Sequence, residues 1–173
     1  GPVGYWNLDE NTGTTGNDSS GTGNTTSTFT GNTTWAIGKY GSGLTFDGTD
    51  DVARIVESST VDLGATTDSY TVSAWINTTT NFTTAAHIVS KDDGTGATPF
   101  RLSVDSTELP CFNIYDGTIT SSACGTALVN NGTWRYLTGV RDVANDQVHL
   151  YVDGALATPS TTDATTAALS NND

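Results

Sequence analysis

Apolar and polar residues alternate with a period of two through much of the chain, and this pattern predicts β-strands with one buried face. Turn-forming residues recur about every ten positions, as in a two-sheet antiparallel sandwich. Apolar residues at helical spacing occur only in a weak stretch near the C-terminus. The segments that predict strands are 3–8, 44–46, 52–56, 70–76, 87–91, 100–104, 111–115, 118–124, 134–141 and 147–153.

Residues 39–56 carry the clearest local pattern and predict a hairpin. Leu44 and Phe46 point to one side of a strand, and an Asp-Gly pair that begins at Asp47 signals a turn. The apolar residues of 52–56 are then expected to return as the second strand.

The composition also favours strands and turns. The chain has 19 glycines, no methionine and only 14% charged residues, and Thr, Ser, Asn and Gly stand where Lys and Glu are usual. Residues 11–34 are densest in these types and predict a long loop. Because there is no internal repeat and no clear second domain, we expect residues 1–173 to form a single domain.

The net charge of −13 restricts the partners. An acidic surface repels phosphate backbones and anionic lipids, so nucleic-acid binding is not expected. The charge is compatible with calcium or neutral glycans, although solubility alone would also account for it. The sequence has no transmembrane run, so we expect no membrane insertion within this chain, and we expect a mature or trimmed chain because no signal peptide precedes Gly1.

The two cysteines lie on either side of an Asp-Gly pair. If residues 116–117 form a hairpin turn, the flanking strands bring Cys111 and Cys124 together, and a disulfide is expected. A disulfide would place the chain in an oxidising, extracellular compartment. The alternative is a pair of small buried thiols in a reduced protein.

Six short motifs occur in a fixed order, namely Tyr5-Trp6-x-Leu8-Asp9-Glu10, Asp18-Ser19-Ser20-Gly21-x-Gly23-Asn24, Gly38-Lys39-x-Gly41-x-Gly43-Leu44-x-Phe46-Asp47-Gly48-x-Asp50-Asp51, Tyr70-Thr71-Val72-Ser73-Ala74-Trp75, Trp134-Arg135-Tyr136-Leu137 and Leu150-Tyr151-Val152-Asp153-Gly154. Over essentially the whole chain they resemble the laminin-G-like, concanavalin-A-like jelly-roll family. The resemblance implies an all-β, two-sheet antiparallel jelly-roll sandwich. It implies less about function, because this fold hosts lectins, cell-adhesion modules, carbohydrate-binding modules and some glycosidases.

Members of that family usually continue with further strands beyond the point that corresponds to Asp173. We therefore expect the fold to lack its usual C-terminal strands, which would leave 3–8 as an open, apolar strand edge. Truncation is the simpler explanation. The alternative is a strand donated by a neighbouring chain, with self-association through the open edge.

The best candidate for a functional site in this sequence is a calcium-binding site. Asp47, Asp50 and Asp51 share one predicted turn, and a bound cation would relieve their mutual repulsion. The family resemblance adds Asp18, from the loop 18–24, and supports Asp47. The alternative is that these carboxylates cap backbone N–H groups and only build turns.

A glycan site would need exposed aromatic rings and neighbouring polar groups. The candidates are Trp35, Tyr40, Tyr115 and Tyr151, although an aromatic residue in a sandwich more often packs in the core. The tryptophans in family motif positions are expected in the core; these are Trp6, Trp75 and Trp134.

Catalysis is not expected. Hydrolases of this fold carry carboxylates at alternate positions of one strand, and no Glu-x-Asp-x-Glu occurs among the isolated glutamates 10, 57 and 108. His87 and His149 have no evident partner for nucleophilic or metal chemistry. We expect an extracellular, non-catalytic recognition module that binds a glycan or a surface protein and holds a structural calcium ion. The alternative is a structural subunit of a surface appendage or filament.

Overall fold

Strands and one short 3₁₀ turn make up the regular structure of the computed structural model, which describes residues 1–56, 58–63, 67–91 and 99–166. The chain divides into two units, residues 1–62 and residues 63–173. The first unit contains β1 (Thr34–Ile37) and β2 (Ser42–Thr45). The second contains β3 (Tyr70–Ile76), β4 (Ala86–Lys91), β5 (Phe100–Val104), β6 (Pro110–Tyr115), β7 (Thr120–Cys124), β8 (Arg135–Asp142), β9 (Gln147–Val152), β10 (Ala155–Leu156) and β11 (Thr161–Thr162), with the 3₁₀ turn at Val143–Asn145.

In the first unit, β2 pairs antiparallel with β1 and not with the segment 52–56. Val52 forms an isolated bridge with Thr30, and Ile55 forms one with Thr26. The predicted hairpin across the acidic turn is therefore wrong. The Asp51 carboxylate accepts a hydrogen bond from the Asn32 N–H, which holds the end of the turn against the loop of residues 26–32.

The predicted strand at 3–8 is also wrong. The Tyr5 N–H donates to Asp18 Oδ1 at 3.0 Å, and the Tyr5 carbonyl accepts from the Ser19 N–H at 2.7 Å. Leu8 has a φ of 56°, in the left-handed region, which interrupts an extended strand. The loop of residues 18–24 thus takes the two backbone hydrogen bonds of Tyr5 that a neighbouring strand would have made. Self-association through this segment stays a prediction.

In the second unit, two antiparallel sheets enclose one core. One has the order β10-β9-β8-β3, with β11 also paired to β9, and the other has the order β4-β5-β6-β7. Both sheets contribute fully buried apolar side chains, so they face each other as an antiparallel sandwich, as the sequence predicted. The core residues with no exposure are Leu102, Phe112, Ile114, Ala123, Leu137, Val148 and Leu150.

A glycine sets the close packing of the two sheets. Gly139 of β8 faces the ring of Phe112 in β6, and a Cβ built on Gly139 would lie 2.3 Å from two carbons of that ring. A side chain at this position would therefore push the sheets apart.

Cys111 of β6 and Cys124 of β7 lie opposite each other in register and form the expected disulfide. The Asp116-Gly117 turn joins the two strands, as the sequence predicted. No helix among the described residues is long and apolar enough to span a membrane. The predicted turn at 92–94 lies outside the described residues.

Candidate functional site

The acidic turn, residues 47–51, brings three carboxylates together. Ligand oxygens of Asp47, Asp50 and Asp51 all lie within 4.8 Å of one another. Asp47 and Asp50 are exposed, and Asp51 is half-buried. Like charges at this distance repel each other unless hydrogen bonds or a cation compensate them.

Hydrogen bonds compensate part of this repulsion. Asp51 Oδ2 accepts from the Asp47 N–H at 2.6 Å, and Asp47 Oδ1 accepts from the Thr49 N–H at 2.8 Å. The bond from Thr49, partly offset by burial, lowers the pKa of Asp47. Asp47 and Asp51 therefore build the turn, as the alternative interpretation requires.

Gly31 fits closely against the same carboxylates. It has a φ of 65°, and a Cβ there would lie 2.3 Å from Asp51 Oδ1 and 2.7 Å from Asp50 Oδ1. Only glycine allows the loop of residues 26–32 to approach the acidic turn this closely without strain.

The acidic turn also fits a hard divalent cation. An ionised carboxylate offers about four lone-pair sites, so one or two N–H bonds leave Asp47 and Asp51 capacity to bind a metal ion. Calcium takes carboxylate and carbonyl oxygens in flexible geometry, and three carboxylates are present here. Asp47, Asp50 and Asp51 are the residues that would hold the ion.

Asp18 does not belong to this group of three among the described residues. Its Oδ1 accepts from the N–H groups of Tyr5 and Ser20, and its Oδ2 accepts from the Asn24 N–H at 2.9 Å. Burial would raise the pKa of Asp18, but the hydrogen bonds from Ser20, Tyr5 and Asn24 outweigh it and hold the pKa far below its usual value. Asp18 therefore organises the loop of residues 18–24 around the N-terminal segment.

The aromatic candidates of the first unit differ in their surroundings. Trp35 donates from Nε1 to the Gly13 carbonyl at 2.7 Å and meets the ring of Phe29 edge-to-face, with centroids 5.7 Å apart. Tyr40 is 70% exposed, and the Lys39 ammonium lies 5.8 Å from its ring centroid. Trp35 thus packs into its own unit, whereas Tyr40 presents its ring to solvent.

The aromatic candidates of the second unit lie on opposite sides of the sandwich. Tyr115 alternates with the buried Ile114 and so points outward from the β4–β7 sheet, where its hydroxyl donates to the Gly117 carbonyl at 2.7 Å. Tyr151 alternates with Leu150 and points outward from the other sheet. The structure therefore does not bring these two rings to one site.

Tyr151 belongs to a larger aromatic surface that sequence reasoning missed. The outer aromatic face comprises Trp75 of β3, Tyr136 of β8, and His149 and Tyr151 of β9, all on the side of their sheet away from the core. Trp75 is 38% exposed, so its assignment to the core is wrong. The alternation within 70–76 already contained the signal, because it puts Trp75 on the same side as Thr71 and Ser73.

The two facing antiparallel sheets of the second unit form the kind of β-sandwich found in concanavalin A-like lectins and glucanases. The chain belongs to the Laminin_G_3 family of the concanavalin A-like lectin/glucanases superfamily, whose profile matches residues 47–173. The match includes the acidic turn and all strands of the second unit. No curated protein matches the chain significantly.

Proposed function

We propose that this chain is a non-catalytic recognition module that works outside the cell, binds a glycan or a surface protein, and holds its acidic turn with a structural calcium ion. Membership of a lectin-like superfamily supports binding of carbohydrate or protein. A disulfide between Cys111 and Cys124 is typical of extracellular proteins and supports the location.

A binding role is preferred to catalysis because of the acidic residues of the chain. Glycosidases act through a pair of carboxyl groups that flank the sugar bond. The three glutamates, at 10, 57 and 108, have no carboxylate two positions away on either side. Among the described residues, the acidic turn is the group of three carboxylates whose oxygens lie within 4.8 Å of one another, and two of these carboxylates accept backbone N–H bonds.

The observation that carries the calcium proposal is the approach of Asp47, Asp50 and Asp51 within 4.8 Å. A bound calcium ion would supply positive charge where the three carboxylates repel each other. It would fix residues 47–51 and the neighbouring loop of residues 26–32, which Asn32 joins to Asp51. Fixed loops lower the entropy cost of binding a ligand.

Thermal unfolding in calcium and in EDTA tests this proposal. Asp47→Asn keeps an acceptor for the Thr49 N–H but removes a charged ligand. We expect it to lower the melting temperature in calcium and to leave it nearly unchanged in EDTA. Asp18→Asn is the matched control, because Asp18 holds a different loop and its loss should lower the melting temperature equally in both conditions.

An equal drop for Asp47→Asn with and without calcium would mean that Asp47 only builds the turn. The calcium part of the proposal would then be rejected. Magnesium in place of calcium gives the specificity control, because magnesium demands stricter octahedral geometry and gives up its waters reluctantly.

A further inference from the structure

The outer aromatic face is set by the register of three neighbouring strands. Trp75 lies directly opposite Tyr136, and one pleat further on Ser73 lies opposite Thr138, which in turn lies opposite Tyr151. Because side chains alternate strictly along a strand, these five share the side of the sheet away from the core. The rigid sandwich therefore holds them at fixed positions.

The rings form two groups, and the polar row, Ser73 and Thr138, adjoins both: it lies one pleat from Trp75 and Tyr136 and leads to Tyr151. Trp75 and Tyr136 lie 5.1 Å apart between ring centroids, and His149 and Tyr151 lie 6.1 Å apart. Tyr136 and Tyr151 are diagonal neighbours on adjacent strands, which places their Cα atoms about 7–8 Å apart. Long side chains at this spacing are close enough for one oligosaccharide to contact both.

Polar groups lie beside the rings. The Tyr136 hydroxyl donates to Ser73 Oγ at 2.8 Å, and His149 Nδ1 lies 2.7 Å from Ser160 Oγ. Thr138 adjoins both ring groups with its side chain half-buried. Hydroxyl groups next to aromatic rings match a sugar, whose C–H bonds pack on electron-rich ring faces while its hydroxyls exchange hydrogen bonds.

The charged groups near the outer aromatic face affect which glycans can bind there. Asp142 and Asp153 border this part of the sheet, and Asp142 Oδ2 lies 3.9 Å from His149 Nε2. Asp153 is already paired with Arg135 at 2.8 Å, so it is Asp142 and the net charge of −13 that disfavour sulfated or uronic-acid chains. The surface therefore fits a neutral sugar better than an acidic one.

We propose that the outer aromatic face binds a neutral oligosaccharide, with one sugar on Trp75 and Tyr136 and a following sugar on Tyr151. This inference rests on the proposed recognition function and assigns its ligand class and position. It concerns the face of the sheet and needs no residue of the acidic turn.

Affinity electrophoresis and tryptophan fluorescence test the assignment. The chain is run in gels that contain a neutral polysaccharide, namely mannan, xylan or β-1,3-glucan. Parallel gels contain an anionic polysaccharide, either heparin or polygalacturonate. We expect retardation by at least one neutral polysaccharide and by neither anionic one. Titration of oligosaccharides from that polysaccharide should change the tryptophan fluorescence.

Trp75→Ala and Tyr151→Ala should each weaken this binding about tenfold or more, because each removes a ring that covers a sugar. Tyr5→Ala is the matched control, since it removes a ring that is 53% exposed but lies in the first unit, and it should bind like the wild type. Tyr40→Ala removes the exposed candidate ring of that unit and tests the competing site. Thr138→Arg leaves every ring in place but covers the polar row with a long side chain. This variant should abolish sugar binding. Circular dichroism confirms that each variant is folded.

Unchanged binding by Trp75→Ala and Tyr151→Ala would overturn the assignment. If Tyr40→Ala alone lost the sugar, recognition of glycans would stand and this face would not be the site. Retardation only by the anionic polysaccharides, or by none of the panel, would also overturn the assignment of this face to a neutral oligosaccharide. The calcium-dependent melting of Asp47→Asn would still test the proposed function separately.

Discussion

Removal of Asp163 should destabilise the second unit far more than loss of a surface ion pair would. Arg141 Nε lies 2.8 Å from Asp163 Oδ2, and the two side chains are only 2% and 4% exposed. Asp163 Oδ1 also accepts from the Thr165 N–H at 3.0 Å. The pair thus ties β8 to the segment that follows β11.

The expected cost follows from burial. Asp163→Ala leaves the guanidinium of Arg141 buried without its carboxylate, and breaking such a pair costs about 3–5 kcal/mol. A domain is stable by only about 5–15 kcal/mol. Because about 1 kcal/mol shifts the melting temperature of a chain of this size by about 2–4 °C, a fall of about 10 °C is expected.

Urea unfolding followed by circular dichroism measures this free energy. Arg135→Met is the matched control, because Arg135 makes an ion pair of the same length, 2.8 Å, with Asp153, but the partners are 30% and 38% exposed. Its loss should cost about 1 kcal/mol or less. The double variant Arg141→Met with Asp163→Leu should recover most of the stability, because no buried charge is left unpaired. Equal small losses for Asp163→Ala and Arg135→Met would refute the reasoning from burial.

Three further changes test other parts of the fold. Gly139→Ala should cost about 1–3 kcal/mol in urea unfolding, because its Cβ meets the Phe112 ring; a neutral result would contradict the close packing of the sheets. Replacing both cysteines by serine opens a loop with a sequence separation of 13 and should cost about 3 kcal/mol; the same midpoint as the wild type would show that the cross-link does not stabilise the fold. Asp105→Asn should weaken the fall in the free energy of unfolding as the pH is lowered into the acid range. Burial would raise the pKa of Asp105, but hydrogen bonds from Thr107 and Leu109 hold it below 3.8, so its contribution is complete above that pH and is lost as the pH falls; an unchanged acid limb in pH-dependent melting would argue against this.

The strands of the second unit could be predicted because alternation reports directly on burial. The predicted bounds of β3 and β5 agree with the structure, and Val148, Leu150 and Val152 share the inner side of β9 as expected. Each of these strands packs one face on a common core, so a period of two is enough to find it.

The first unit was harder to predict because its segments pair with loops. Residues 3–8 and 52–56 alternate like strands, but Asp18 accepts the Tyr5 N–H, and N–H groups of the loop of residues 26–32 donate to the carbonyls of Val52 and Arg54. Alternation says nothing about which neighbour a segment will find.

The candidate functional residues also differ in how far the sequence could predict them. Asp47, Asp50 and Asp51 are neighbours in the sequence, so a turn was enough to bring them together. The outer aromatic face depends on the register of β3, β8 and β9, which joins Trp75 to Tyr136 across a long separation in sequence. The family motif favoured a core position for Trp75, whereas the alternation of its own strand favoured the surface.

The most direct test of the proposed recognition module is a calorimetric titration of calcium into the EDTA-stripped chain. We expect one ion to bind with a dissociation constant of about 10⁻⁴–10⁻³ M, as in extracellular modules, and binding to be lost in Asp50→Asn. No binding heat in this range, or the same heat from Asp50→Asn, would contradict a calcium ion at the acidic turn.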